Sequence, residues 1–213
     1  MKHHKYNQDF SFVKEPIEFD KYTDRNILQY CLGATMYMPG TKDFASKIID
    51  NSFPGLTSMV LCFEDACAEK DVPFAEENAH NLLEKVYDEI ESGRMNRENL
   101  PLIFCRVRNP EQFRHFSEKL TLNQVKVLAG INFPKFNSKN GEEYFSYLRE
   151  LNVKFGEILY GMPILEDREV AFKETRIDEL LKIKEILDRY KDIVLQVRVG
   201  ATDFSSCFGV RRG

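Results

Sequence analysis

The sequence predicts an α/β fold built on a parallel sheet, and three observations carry that prediction. Six apolar, strand-like runs recur along the chain, at residues 34–38, 58–63, 102–107, 125–133, 157–165 and 193–199. Their ends are spaced by about one strand plus one returning helix, the alternation that parallel pairing requires. Each run also ends on or near a residue able to do chemistry, and parallel strands gather such ends on one rim. Periodicity alone does not separate an open doubly wound sheet from a barrel.

The elements follow in order. Residues 1–20 mix charges and aromatics without periodicity and read as an arm or loose loop. Thr23-Asp24 can cap a short helix bearing Ile27, Leu28 and Cys31, which leads into the first strand. The clearest helix covers 74–92, with Leu82, Leu83, Val86 and Ile90 on one face and acids over much of the other. Pro110-Glu111 opens the next, marked by Phe113, Phe116 and Leu120. Asn140-Gly141 breaks the chain before a helix with Tyr144, Tyr147, Leu148 and Leu151. Over 175–190, Leu180, Ile183, Leu187 and Tyr190 fall at heptad-like spacing. About two heptads suit a helix packed on a sheet better than a coiled coil. The runs 59–63 and 193–195 are nearly continuous in apolar residues, as in strands covered on both faces. No strict repeat, low-complexity tract or Pro/Gly linker divides the chain. It reads as an arm and leading helix over 1–32 and one domain over 33–213.

Composition narrows the function classes. The 213 residues are 43% hydrophobic and 30% charged, enough for a sizeable core and unlike a disordered chain. A formal charge of −4 and the lack of a basic run argue against a nucleic-acid surface. No apolar stretch approaches the roughly 20 residues of a membrane span. Polar residues follow the basic start where a signal peptide needs an apolar core, so the expected location is cytoplasmic. The cysteines at 31, 62, 67, 105 and 207 are odd in number, form no CxxC pair, and are expected to be reduced.

The strand ends supply the candidate chemistry. Glu166 and Asp203 each follow an apolar run, and carboxylates on neighbouring strand ends can share one hard cation; capping or plain solvation is the simpler reading. Arg106 and Arg108 alternate with Cys105 and Val107, so both are expected on one side of their strand. A guanidinium there needs an anion, either a substrate carboxylate or the acidic pair Glu64-Asp65. Glu64 and Asp65 could also act beside a metal or as a base. Lys135 suits a phosphate or carboxylate contact better than a Schiff base. The glycines form neither GxGxxG nor a Walker loop, which weakens nucleotide readings.

Several motifs occur in a telling order: Tyr37-Met38-Pro39-Gly40-Thr41, Val60-Leu61-Cys62-Phe63-Glu64-Asp65-Ala66, Cys105-Arg106-Val107, Phe133-Pro134-Lys135, Ile164-Leu165-Glu166 and Val199-Gly200-Ala201-Thr202-Asp203. The set resembles the citrate lyase beta-subunit-like, HpcH/HpaI aldolase superfamily. The stretches at 54–65 and 198–206 look more specifically like its C–C bond lyase branch, associated with tellurite-resistance-type gene clusters. The resemblance implies a TIM (β/α)8 barrel and a magnesium-dependent carbon–carbon lyase or aldolase. Its substrates would be 2-oxo acids or acyl-thioesters, handled through a metal-stabilised enolate. It implies Glu166 and Asp203 as metal carboxylates, Arg106 as the grip on the substrate carboxylate, and Glu64 and Asp65 as the acidic pair beside the metal. Arg108 is the competing grip if the register shifts by two. The barrel is apparently truncated after the sixth strand, which leaves two alternatives: an inactive relic, or a subunit completed by another polypeptide. Open edges near Met36 and Val197 would then favour a homo-oligomer or a complementing chain. A phosphotransfer or mutase barrel using the same ion site is a more distant reading.

Overall fold

The computed structural model describes residues 1–7 and 9–210. The end of the domain read over 33–213, Arg211 to Gly213, lies outside the described residues. Strands β1 (Met36–Pro39), β2 (Ser58–Cys62), β3 (Leu102–Arg106), β4 (Leu128–Phe133), β5 (Tyr160–Leu165) and β6 (Arg198–Val199) pair in sequence order. Every neighbouring pair is parallel. Helices return the chain between them: α2 (Ala45–Ile49), α3 (Val72–Glu91), α4 (Pro110–Glu118), α5 (Leu122–Val127), α6 (Gly141–Phe155), α7 (Arg168–Ala171) and α8 (Lys173–Arg189). Helix α1 (Arg25–Leu28) precedes β1 and α9 (Ala201–Cys207) follows β6. Among the described residues β1 and β6 do not pair with each other, so the sheet is a half-barrel of the (β/α)8 type.

Every residue of β2, β3, β4 and β5 is buried, because both faces of the sheet are covered. The convex face packs Met59, Leu61, Ile103, Ile131 and Phe133 under the helices, against Leu83, Val86, Phe113, Phe116 and Phe145. The concave face carries Val60, Leu102, Phe104 and Met162, and the residues that cover it are Phe19, Leu28 and Leu32. The arm is irregular and mostly exposed over residues 9–15, and it is held down at its ends. Lys2 bridges Glu18, and Phe19 is 3% exposed. Single anchors on an irregular segment fill the hollow of the sheet without leaving a periodic pattern.

Two other boundaries differ from expectation. Val125 lies in α5 rather than in a strand, because Thr121 and Gln124 close a capping box that starts a helix. The last run pairs only in pieces: Gly161 bridges Val194, and β6 itself is two residues long. Helix α1, capped by Asp24, covers this strand's approach, with Arg25 Nη1 donating to Val194 O at 3.2 Å and Gln196 Nε2 to Gln29 O at 2.7 Å. Met36 is half-buried against the core, whereas Val197 and Val199 are 43% and 63% exposed. Cys31, Cys62, Cys67 and Cys105 are free and buried. No helix among the described residues is long and apolar enough to cross a membrane.

Lys21 ties the arm to helix α5 and to the loop before β5. Its buried Nζ donates to Val125 O at 2.6 Å and stands 3.5 Å from Glu157. Burial pushes its pKa down to about 8, against the pull of Glu157. The unfolded chain then holds that proton more tightly, so stability should rise with pH between about 8 and the ordinary lysine value, by at most about 3 kcal/mol. Denaturation curves across this window should show the rise in the native chain and not in Lys21→Met. The same rise in both would refute the assignment.

Candidate active site

Five strand ends deliver polar side chains to one rim. Arg106 closes β3 and points to the concave face, in register with Cys62 of β2 and Asn132 of β4. It is 7% exposed and touches three acids: Nη2 lies 2.7 Å from Glu64 and 3.1 Å from Glu166, and Nη1 lies 2.8 Å from Asp65. Lys135, after β4, places Nζ 2.6 Å from the other oxygen of Glu64. Its backbone N–H donates to Glu166 Oε1 at 3.0 Å. That geometry requires a left-handed backbone at Lys135, φ 47°, a strain of about 1 kcal/mol or more that these two contacts hold in place.

The protonation states follow from the contacts. Burial pushes Glu166 above the usual carboxylate range; Asp203 beside it adds to the rise, while the Lys135 N–H and Arg106 oppose it. Burial also works on Asp65, but its hydrogen bond with Glu64 and the charge of Arg106 hold it below that range. The hydrogen bond to Glu64 raises Lys135. A lysine kept as an ammonium ion is a poor imine-forming nucleophile, so its place here is electrostatic. Among the described residues, Arg106 and Lys135 are the cations in contact with Glu64, Asp65 and Glu166, and Asp203 stands beside Glu166, so the carboxyl groups outnumber the cations.

Glu166 and Asp203 are neighbours in this group, and the charge of Asp203 and its hydrogen bond with Glu166 add to the rise in the Glu166 pKa. Both are hard oxygen donors. Among the described residues no group of three or more His, Cys, Asp and Glu side chains is placed to hold an ion alone. Two such carboxylates suit a divalent ion that would keep most of its coordination for water and substrate oxygens, the habit of magnesium.

Arg108 is not brought to this group. The strand ends at Arg106, so the expected alternation stops there, and Arg108 Nη1 instead donates to Phe63 O and Cys67 O, both at 3.1 Å. It clamps the loop that carries Glu64 and Asp65. Three concave-face residues escaped the sequence reading: Tyr37, Asn132 and Arg198, joined by hydrogen bonds at 2.8 and 3.3 Å. Their only signal was polarity at inward positions of otherwise apolar runs.

The sequence matches a known family. Residues 26–213 match the model of a family described as C–C bond lyase of the TIM-barrel fold. The chain belongs to the C–C bond lyase family. Among solved structures, this family member is similar to a malate synthase from Haloferax volcanii, in a lead(II) complex, with 16% identity and a TM-score of 0.57. It is also similar to a citrate lyase beta subunit from M. tuberculosis, complexed with oxaloacetate and magnesium, with 15% identity and a TM-score of 0.50. The matches cover 84% and 87% of this chain but 52% and 65% of those two. At such identities the likeness concerns the fold. No curated protein matches the chain.

Gly200 leaves space for Glu166, since a β-carbon there would overlap Glu166 Oε2. Gly200→Ala should cost about 1–3 kcal/mol of stability. Native-like denaturation of that variant would show that the carboxylate is free to move.

Proposed function

We propose that this chain is a magnesium-dependent carbon–carbon lyase or aldolase acting on a 2-oxo acid or an acyl-thioester. The observation that carries the reading is the rim cluster: an arginine, a lysine and four carboxyl groups, more acids than cations among the described residues. The magnesium and oxaloacetate named for the citrate lyase beta subunit support it.

Each residue then has a task. Glu166 and Asp203 would hold the ion, which when bound supplies a Lewis acid for the substrate's keto oxygen. Arg106 would grip the substrate carboxylate. Its contact with Asp65 is the exchangeable one, because the Asp65 side chain is 56% exposed while those of Glu64 and Glu166 are buried. Glu64 braces Arg106 and Lys135 together. As the C–C bond breaks, its electron pair moves onto the substrate as an enolate, and the fixed positive charges of Arg106 and Lys135 favour that charge. Asp65, released from Arg106, is the candidate for the proton transfer.

The test is a screen of purified protein with magnesium against 2-oxo acids and acyl-CoA thioesters. Magnesium should raise the melting temperature of the native chain and not that of Glu166→Gln or Asp203→Asn. Arg106→Lys should lower kcat/KM for a 2-oxo acid by roughly thirtyfold, the equivalent of about 2 kcal/mol. Arg108→Lys should leave KM within twofold. A magnesium shift retained in both carboxylate variants would refute the ion site.

One observation favours the second reading, a subunit completed by another polypeptide or by copies of itself. Val197, Val199 and Phe208, just before, in and after the last strand, are 43%, 63% and 57% exposed. Sedimentation of the isolated chain should then reveal self-association. Magnesium binding without turnover, with turnover restored by a two-strand complement, would favour this reading over the first. A fully active monomer would exclude it.

A further inference from the structure

We infer that Arg198, Tyr37 and Asn132 form a second carboxylate subsite on the concave face, below the rim cluster, and that Arg198 selects substrates carrying an anionic group at their far end. Arg198 differs from Arg106 in one respect. Arg106 touches three acids, whereas Arg198 is half-buried and pairs with no carboxylate among the described residues. Its Nη1 donates to Tyr37 Oη at 3.3 Å and its Nη2 to Thr35 Oγ1 at 2.9 Å. Its Nε is buried and has no partner. This half-buried guanidinium lies 5.8 Å from the centre of the Tyr37 ring and beside neutral hydroxyls, and it lacks the anion that its fork pairs with best.

Tyr37 adds a second donor. Its hydroxyl oxygen accepts Asn132 Nδ2 at 2.8 Å as well as Arg198 Nη1, so its own proton remains for another acceptor. Asn132 is fully buried, and its other side-chain polar atom, Oδ1, has no partner. It is a positioning residue that aims Tyr37 across the hollow from β4 to β1. A fork of N–H donors beside one O–H donor recognises a carboxylate.

The placement sets the ligand's length. Arg198 stands in register with Ile164, two residues below Glu166 on the neighbouring strand. Two residues of strand rise about 6.6 Å, which suits a four- or five-carbon diacid with its keto end at the rim. This statement about the substrate rests on the 2-oxo acid reading above; the carboxylate subsite itself does not.

Arg198 also links β6 to β1, so the test must separate binding from folding. Calorimetric titration with magnesium should show 2-oxoglutarate binding at least tenfold tighter than 2-oxobutyrate. In Arg198→Gln that preference should fall to within twofold while 2-oxobutyrate affinity is kept. Should this variant fail to fold, Tyr37→Phe keeps the ring, loses one donor, and should reduce the preference at least threefold. Succinate, titrated without magnesium, should bind the native chain and not Arg198→Gln. Succinate binding that depends on Arg198, with no binding of either 2-oxo acid, would uphold the subsite and reject the lyase reading. Magnesium-dependent 2-oxobutyrate binding with no diacid preference would do the reverse. A preference that survives Arg198→Gln, equal weakening of both 2-oxo acids, or no binding of any probe would overturn the subsite.

Discussion

Arg106 holds the ends of three strands together through charge, and the geometry of the rim depends on that one guanidinium. Glu64 and Glu166 arrive from opposite sides of it, both buried, and neither has enough solvent to be stable as an isolated anion. Removing the cation would leave two desolvated carboxylates facing each other, the situation in which breaking a buried pair costs far more than the pair contributes. The same contact explains why Lys135 tolerates a left-handed backbone: its N–H and its ammonium group each complete the shell of an acid that Arg106 has already fixed.

The sheet makes this convergence possible. Parallel strands in sequence order put every carboxyl end on one side, and the inward positions of β3, β4 and β5 fall into layers. Apolar side chains fill the lower layers, so the polar groups above them sit on a dry base. Electrostatic contacts are worth more over such a base than in open water.

Much of this was legible in the sequence, and the parts that were not have physical reasons. Glu64, Arg106, Lys135 and Glu166 stood out because a charged residue ending an apolar run has few places to go except the rim. Arg108 was misplaced because alternation holds only while the backbone stays extended, and β3 ends at Arg106. Val125 was taken for strand because it is β-branched and apolar, whereas the local capping box decided its conformation. Tyr37, Asn132 and Arg198 belong to three different strands and meet only across the hollow of the sheet. No local pattern encodes a contact of that kind. The arm escaped for the opposite reason: Phe19 and Lys21 act singly, and a lone anchor has no period.

The position of that arm bears on how any ligand gets in and out. Phe19, Leu28 and Leu32 stopper the amino-terminal end of the hollow. The apolar base under the rim is thereby sealed from the amino-terminal side, and a ligand that reaches the acids cannot come from beneath them. The stopper also acts as a depth gauge. A molecule longer than the distance from rim to floor has to leave its tail outside, in the solvent above Lys135.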